Sequence, residues 1–156
     1  MIIKKLSLRN YRNYSSKQFD FKPGINVILG DNGVGKTNVV EAIYYLSLAR
    51  SFRGVDDVDL ISYNKDYASI SSKIEIGKIN REITTIISKN GRQVSMNGKP
   101  IERISDLAKT INVILFEPRD VLLFKGSPKE RRNFLDISLT KHTESYLLLL
   151  VDITKC

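Results

Sequence analysis

Cysteine occurs once in this sequence, as Cys156, and histidine once, as His142. One thiol and one imidazole exclude a disulfide framework and every multi-ligand zinc site. With no triad or metal partner in view, His142 is read as structural. Tryptophan is absent, and no repeat, low-complexity tract or linker interrupts the chain. Long apolar runs are missing as well. Met1-Ile2-Ile3-Lys4-Lys5 leads into mixed polar sequence with no stretch of signal-peptide length, and Tyr146 to Val151 is too short to span a bilayer. These absences lead us to expect a soluble, cytoplasmic protein with no membrane partner.

What is present is ordinary globular composition: 156 residues, 42% apolar and 27% charged. That is one domain's worth of chain, or part of a larger protein, with enough apolar residues for a core. The formal charge of +8 is unevenly spread. Residues 1–22 carry +5 and residues 118–141 carry +3, while 23–117 hold only +1 and 142–156 hold −1. Localised basic excess points to a polyanionic partner, either nucleotide phosphates or nucleic acid.

Ile2 to Leu8 alternates apolar and polar residues and reads as a strand with one buried face, followed by a loop over Asn10–Tyr14. Phe19–Phe21 alternates again before a Lys22-Pro23-Gly24 turn, making the two strands arms of a hairpin-like unit. Ile25–Leu29 is mostly β-branched and predicts a buried strand. From Thr37, the residues Val39, Val40, Ile43 and Leu46 recur at helical spacing to about Ala49. The middle is β-rich: Tyr67–Ile76, Arg81–Ser88 and Gln93–Met96 predict strands, with hairpin turns at Asn90-Gly91 and Asn97-Gly98. Ile101–Lys109 has a helical period, and Ile111–Phe116 is a second buried-strand run. Ser127 as N-cap and Pro128 at the first helical position start another helix, and Glu144–Ile153 reads as a last one.

Gly30-x4-Gly35-Lys36-Thr37 is a Walker A phosphate loop. Its glycines let the backbone curl until successive N–H groups face an anion, and a following helix adds its positive N-terminal end. Lys36 supplies a mobile charge for the terminal phosphates and Thr37 a hydroxyl for Mg²⁺. The context agrees, with a strand run before the loop and an amphipathic helix after it. The candidate phosphate-binding residues are therefore Gly30, Asp31, Asn32, Gly33, Val34, Gly35, Lys36 and Thr37, for ATP and Mg²⁺.

The loop interior and its continuation, Asp31-Asn32-Gly33-Val34-Gly35-Lys36-Thr37-Asn38 with Glu41-Ala42-Ile43 beyond, resemble the SMC-like branch of ABC-type ATPases. Further segments resemble the RecF family of bacterial recombination mediators. These are Leu8–Tyr14, Arg50-Ser51-Phe52-Arg53, and Val121–Pro128 leading into Arg131-Arg132-Asn133-Phe134-Leu135-Asp136. The resemblance runs from Met1 to about Tyr146. It implies an α/β P-loop NTPase fold, an ABC-ATPase-head-like lobe with a mixed sheet, an antiparallel β-rich middle and flanking helices. It further implies a lobe over 1–140 and the start of a helical arm over 141–156, within a longer protein. Such proteins form ATP-dependent homodimers on single-stranded or gapped DNA and, with other mediator proteins, help load the RecA recombinase. Arg12 and Asn13 become additional nucleotide contacts by the same resemblance; Lys4, Lys5, Arg131 and Arg132, in the two basic segments, are candidate contacts to DNA or a partner.

Two departures stand out. Phe52 occupies a position where the family usually has His. Glu117-Pro118-Arg119-Asp120 occupies the region where ABC-type heads carry a Gln, which makes Glu117 and Asp120 metal candidates. The only Walker B-like stretch, Leu147–Val151 ending in Asp152, is leucine-rich rather than β-branched and favours helix. The expected chain therefore binds ATP without appreciable turnover. The alternatives are another SMC-like DNA-repair ATPase or a small stand-alone P-loop nucleotide kinase. A GTPase is excluded, because Asn64-Lys65-Asp66 puts the acid one place too early for a guanine reader. A vestigial loop on a DNA-binding module would show no nucleotide binding.

The two basic segments come without a recognition helix or an aromatic base reader, so DNA binding by this chain should be weak, sequence-independent and salt-sensitive. Raising salt from about 50 to 200 mM in an anisotropy titration should weaken it at least roughly tenfold. An affinity indifferent to salt would contradict this reading.

Overall fold

A six-stranded antiparallel sheet, in the order β2-β1-β3-β4-β5-β6, organises the first part of the molecule. The computed structural model describes residues 1–117 and 127–142. The chain divides into two compact units, Met1–Val113 and Ile114–Cys156. In the first, β1 (Ile2–Tyr11), β2 (Tyr14–Asp20), β3 (Tyr67–Ile76), β4 (Ile79–Ser88), β5 (Gly91–Met96) and β6 (Lys99–Pro100) form the sheet, accompanied by α1 (Lys36–Leu48) and α2 (Ile104–Thr110). A short 3-10 turn spans Asp57–Leu60. The second unit contains α3, Pro128–His142.

Period-two patterning decides which face is buried. Leu8 lies opposite Ile70, which lies opposite Thr85, which lies opposite Val94. These four residues are buried together with Leu6, Ala68, Ile74, Ile83 and Ile87. One residue along, Ser7, Ser71, Thr84 and Ser95 form the opposite face by the same register. The core is completed by Val39, Ala42, Tyr45, Leu46 and Ala49 of α1 and its cap, and by Leu60, Leu107 and Ile111. Tyr44 and Tyr45 are both buried, as packing residues. The Tyr45 hydroxyl donates to Asp57, which also accepts from Arg92 of β5 (both 2.8 Å), so the 3-10 turn is tied to helix and sheet.

Most of the expected β-rich middle is found where the alternation placed it. The Asn97-Gly98 turn has φ of 50° and 75°, the positive pair that a type I′ hairpin requires. The β4–β5 turn falls on Lys89-Asn90, one place before the expected pair, because Gly91 already faces Ser88 in the ladder. The first hairpin is longer and tighter than expected. Tyr11 pairs with Tyr14, so only Arg12-Asn13 of the expected Asn10–Tyr14 loop turns, and Lys22-Pro23-Gly24 follows β2. The helix expected at 101–109 occupies 104–110, and Pro128 begins α3 as the Ser-Pro signal predicts.

Two expectations need correction. Ile25–Leu29 is not a buried strand: it has no ladder partner, and Ile25, Val27 and Leu29 are 94%, 72% and 84% exposed. Ile111–Phe116 likewise forms no strand; Ile111 is buried, but Ile114 and Phe116 are 88% and 79% exposed. β-branched composition expresses a preference for extended backbone, whereas a strand exists only where a neighbour supplies hydrogen bonds. Among the described residues no strand lies beside either run. The expected helix at 144–153, the Leu147–Asp152 stretch and Asp120 lie outside the described residues. No described helix is long and apolar enough to cross a membrane.

Ile70 is fully buried at the centre of the sheet. Ile70→Ala should cost about 2–5 kcal/mol through lost burial and a residual cavity. Urea unfolding should show a lower midpoint at unchanged slope.

Candidate nucleotide-binding site

The phosphate loop follows the unpaired run 25–29 and ends on the first turn of α1. Gly33 and Gly35 have φ of 89° and 100°, a region that favours glycine. Gly35 is the N-cap of α1, and no side chain caps this helix end. Its first turn closes through the Gly35 carbonyl, which accepts from the amides of Asn38 (2.9 Å) and Val39 (3.2 Å). An α-helix presents unsatisfied amides and a positive partial charge at such an end, where an anion is stabilised.

Lys36 folds back over the loop and donates from Nζ to the carbonyls of Gly30 and Asp31, both at 2.7 Å. Its ammonium therefore sits within the concave side of the loop. Asp31, Asn32, Gly33, Val34 and Thr37 are exposed, and a Cβ added at Gly33 would meet nothing within 4 Å. An open loop of glycine backbone, a lysine turned inward and an uncapped helix end fit a phosphate group. Thr37, exposed in the first helical turn, is suitably placed to offer a hydroxyl to a phosphate-bound Mg²⁺. Among the described residues no group of three or more His, Cys, Asp or Glu could hold a metal by itself.

Behind the loop, the β1–β2 turn is locked to α1 by a buried charge. Glu41 is 0% exposed and accepts from Arg12 Nε (3.0 Å) and Nη2 (2.8 Å) and from the Ser51 hydroxyl, while Arg53 lies 3.7 Å away. The backbone conformation of Arg12, φ 52°, is held as well. Its amide donates to Leu60 O (2.8 Å), its carbonyl accepts from Ser62 Oγ (2.7 Å), and its Nη1 donates to Asp59 O (3.0 Å). Burial acts to raise the Glu41 pKa, but hydrogen bonds from Arg12 and Ser51 and the charges of Arg12 and Arg53 outweigh it, leaving the carboxyl below its ordinary value. Tyr11 is buried alongside; desolvation, then the Glu41 charge, push its ionisation far up.

Asn13 and Tyr14 continue from this anchor onto the loop. Asn13 Nδ2 donates to Val34 O (3.0 Å), and Tyr14 Oη donates to the same carbonyl (3.4 Å). Asn38 Nδ2 donates to Asn13 Oδ1 (2.9 Å). Arg12 and Asn13, expected near a nucleotide, thus lie beside the loop with their side chains on Glu41 and Val34. Phe52 packs edge-on against Tyr44 (5.6 Å between centroids), an apolar contact at the position that departs from the family.

Of the other candidates, Lys4 and Lys5 lie on β1. Lys4 pairs with Glu75, and Lys5 lies 3.8 Å from Asp20. Glu117 is half-buried in the second unit, and Arg131 and Arg132 are exposed on α3. Sequence reasoning missed Tyr14, Asn38 and the pairing role of Glu41 and Ser51. The Glu41-Ala42-Ile43 spacing was visible, but a carboxylate's partner 29 residues away carries no local signal.

The family model for the RecF/RecN/SMC N terminal domain matches residues 2–120. The chain belongs to this family. Among curated RecF/RecN/SMC relatives, it is 42% identical to the DNA replication and repair protein RecF of Geobacillus thermodenitrificans, over 94% of this chain and 40% of that protein. It is 41% identical to RecF of Clostridium perfringens, over 99% of this chain and 43% of that protein. The chain thus spans about two-fifths of the relatives it matches. A solved structure of the recombination mediator protein RecF with ATP, described as part of the RecFOR pathway, superposes with a TM-score of 0.92 at 27% identity, covering 98% of this chain and 42% of that one. An SMC head domain from Thermotoga maritima shares the fold at a TM-score of 0.60 and 22% identity, over 72% of this chain and 43% of that one. The expected ABC-head-like α/β lobe, with its antiparallel sheet and flanking helices, is the fold found.

Because the folded-state pKa of Glu41 is depressed, its pairing stabilises the protein above the unfolded value of about 4.3 and is lost as pH falls through the folded value. Glu41→Gln should cost about 3 kcal/mol at pH 7. The gap to wild type should narrow below about pH 4. Melting curves across pH check both statements.

Proposed function

We propose that this chain is the ATP-binding N-terminal part of a RecF-type DNA replication and repair protein. The observation that carries the reading is the glycine loop closing on an uncapped helix end with Lys36 turned inward, in a chain of the RecF/RecN/SMC family. The loop 30–37 takes the phosphates of ATP, Lys36 supplies positive charge to the terminal ones, and Thr37 contributes a hydroxyl to Mg²⁺. Likeness to a RecF solved with ATP supports the nucleotide; the basic segments 1–22 and 118–141 support DNA as the second ligand.

The wider activity belongs to the longer protein. By resemblance, it forms an ATP-dependent homodimer on single-stranded or gapped DNA and works with mediator partners to load a recombinase. In that scheme residues 1–140 are the head lobe and 141–156 the start of an arm. Glu117 or Asp120 approaches the metal, and Lys4, Lys5, Arg131 and Arg132 serve DNA or a partner. Turnover on this type of head needs an acid for Mg²⁺, a carboxylate for water and a signature loop from a second head. We infer that this chain alone binds ATP without appreciable hydrolysis. The six-stranded antiparallel sheet disfavours a small nucleotide kinase, in which we would expect a mostly helical chain.

Lys36→Ala should abolish most Mg²⁺–ATP binding in a calorimetric titration while leaving the melting temperature within a few degrees, because the carbonyls it bonds belong to exposed loop residues that water can reach. Steady-state phosphate release should be near background for wild type and Asp152→Ala alike. Equal ATP affinities for wild type and Lys36→Ala would remove the phosphate-loop assignment. Robust turnover lost with Asp152→Ala would mean the chain holds a complete site.

A further inference from the structure

We propose that Asn13 is a positioning residue that sets the direction of the Gly35 amide in the phosphate loop; the proposal rests on the phosphate-loop reading above. The argument begins with the peptide between Val34 and Gly35. In a trans peptide the carbonyl oxygen and the following N–H lie on opposite sides of the C–N bond. Fixing one therefore aims the other. The Val34 carbonyl is drawn outward by Asn13 Nδ2 at 3.0 Å, with Tyr14 Oη at 3.4 Å on the same oxygen. The Gly35 N–H is consequently turned away from the hairpin. This is the amide that opens the first turn of α1, where a phosphate gains most from aligned donors.

The Asn13 amide is itself held at its other end. Its Oδ1 accepts from Asn38 Nδ2 at 2.9 Å, so one side chain bridges the loop and the first turn of α1. This pair of hydrogen bonds also orients the amide group, because only one assignment of its oxygen and nitrogen satisfies both partners. Behind it, Arg12 is anchored through its backbone and guanidinium to Leu60, Ser62, Asp59 and Glu41, which leaves the turn little freedom. Gly35 is what lets the turn come so close. A Cβ there would lie 2.6 Å from both Asn13 amide atoms and 2.9 Å from Tyr14 Oη. The hairpin tip thus occupies the space a side chain would take, and Asn13 acts on the nucleotide through the loop rather than by touching it.

A residue acting through the Gly35 amide affects phosphates and ignores the base. The test compares Mg²⁺–ATP and Mg²⁺–tripolyphosphate by calorimetric titration for wild type, Asn13→Ala, Asn38→Ala and Lys36→Ala, with a melting curve for each. Asn13→Ala should weaken both ligands by the same factor, roughly tenfold, the worth of one well-placed hydrogen bond. Asn38→Ala, which frees only the far end of the bridge, should weaken both by a smaller common factor. Melting temperatures should stay within a few degrees. Loss of affinity for ATP alone would mean that Asn13 touches base or ribose, and unchanged affinity for both would mean that the loop holds its shape unaided; either overturns the proposal. If Asn13→Ala does not fold, Asn38→Ala decides by the same ratio, with no effect or an ATP-only effect counting against it. If Lys36→Ala binds both ligands as wild type does, the phosphate-loop reading fails, and that result is distinct from failure of the Asn13 role.

Discussion

Burying a carboxylate with no exposed surface costs several kcal/mol unless its lone pairs are taken up, and Glu41 is buried that completely. Arg12 offsets the cost with two charge-assisted hydrogen bonds, and Ser51 adds a third. The pair joins a helix that begins at the phosphate loop to a strand turn 29 residues earlier. Everything placed around the loop depends on this junction. With the turn held, Asn13 and Tyr14 meet Val34; without it, the hairpin would have only those two contacts and the Asn13–Asn38 bond against the loop. An isolated surface ion pair would not serve, because water and salt would weaken it to a few tenths of a kcal/mol.

The same junction separates two jobs that the polar residues after β1 could perform. The Arg12 guanidinium donates to Glu41 and the Asp59 carbonyl, whereas Asn13 faces the loop. Adjacent residues in a tight turn project in different directions, so one can serve the core and the other the site. The left-handed conformations of Asn10 and Arg12, at φ 49° and 52°, create that divergence on either side of buried Tyr11. Such backbone costs about 1 kcal/mol or more per residue and persists where surrounding contacts over-determine it. Here those contacts come from the segment Asp59–Ser62.

Several of the most exposed apolar residues lie in the runs Ile25–Leu29 and Ile111–Phe116. Scattered surface leucines need no explanation, but alternating β-branched residues standing in solvent are unusual. The chain spans about two-fifths of its RecF relatives, and these runs have strand composition with no strand beside them among the described residues. By contrast β3, with a neighbour on each side, is extended over the full length its alternation predicts.

The sequence by itself determined the local features. The Gly30-x4-Gly35-Lys36-Thr37 spacing specified the phosphate loop, the alternation in 67–76 and 81–88 specified which face is buried, and Asn97-Gly98 specified a hairpin turn. Each is a property of a few neighbouring residues, governed by backbone torsion or by a period of two. Tertiary structure alone decided that Arg12 would bind Glu41, that Asn13 would hold the Val34 carbonyl, and that Ile25–Leu29 would join no strand among the described residues. Each of those depends on groups from distant segments meeting at hydrogen-bond distance. An arginine looks the same in sequence whether its partner is a phosphate or a carboxylate, and an extended run looks the same with or without a neighbouring strand.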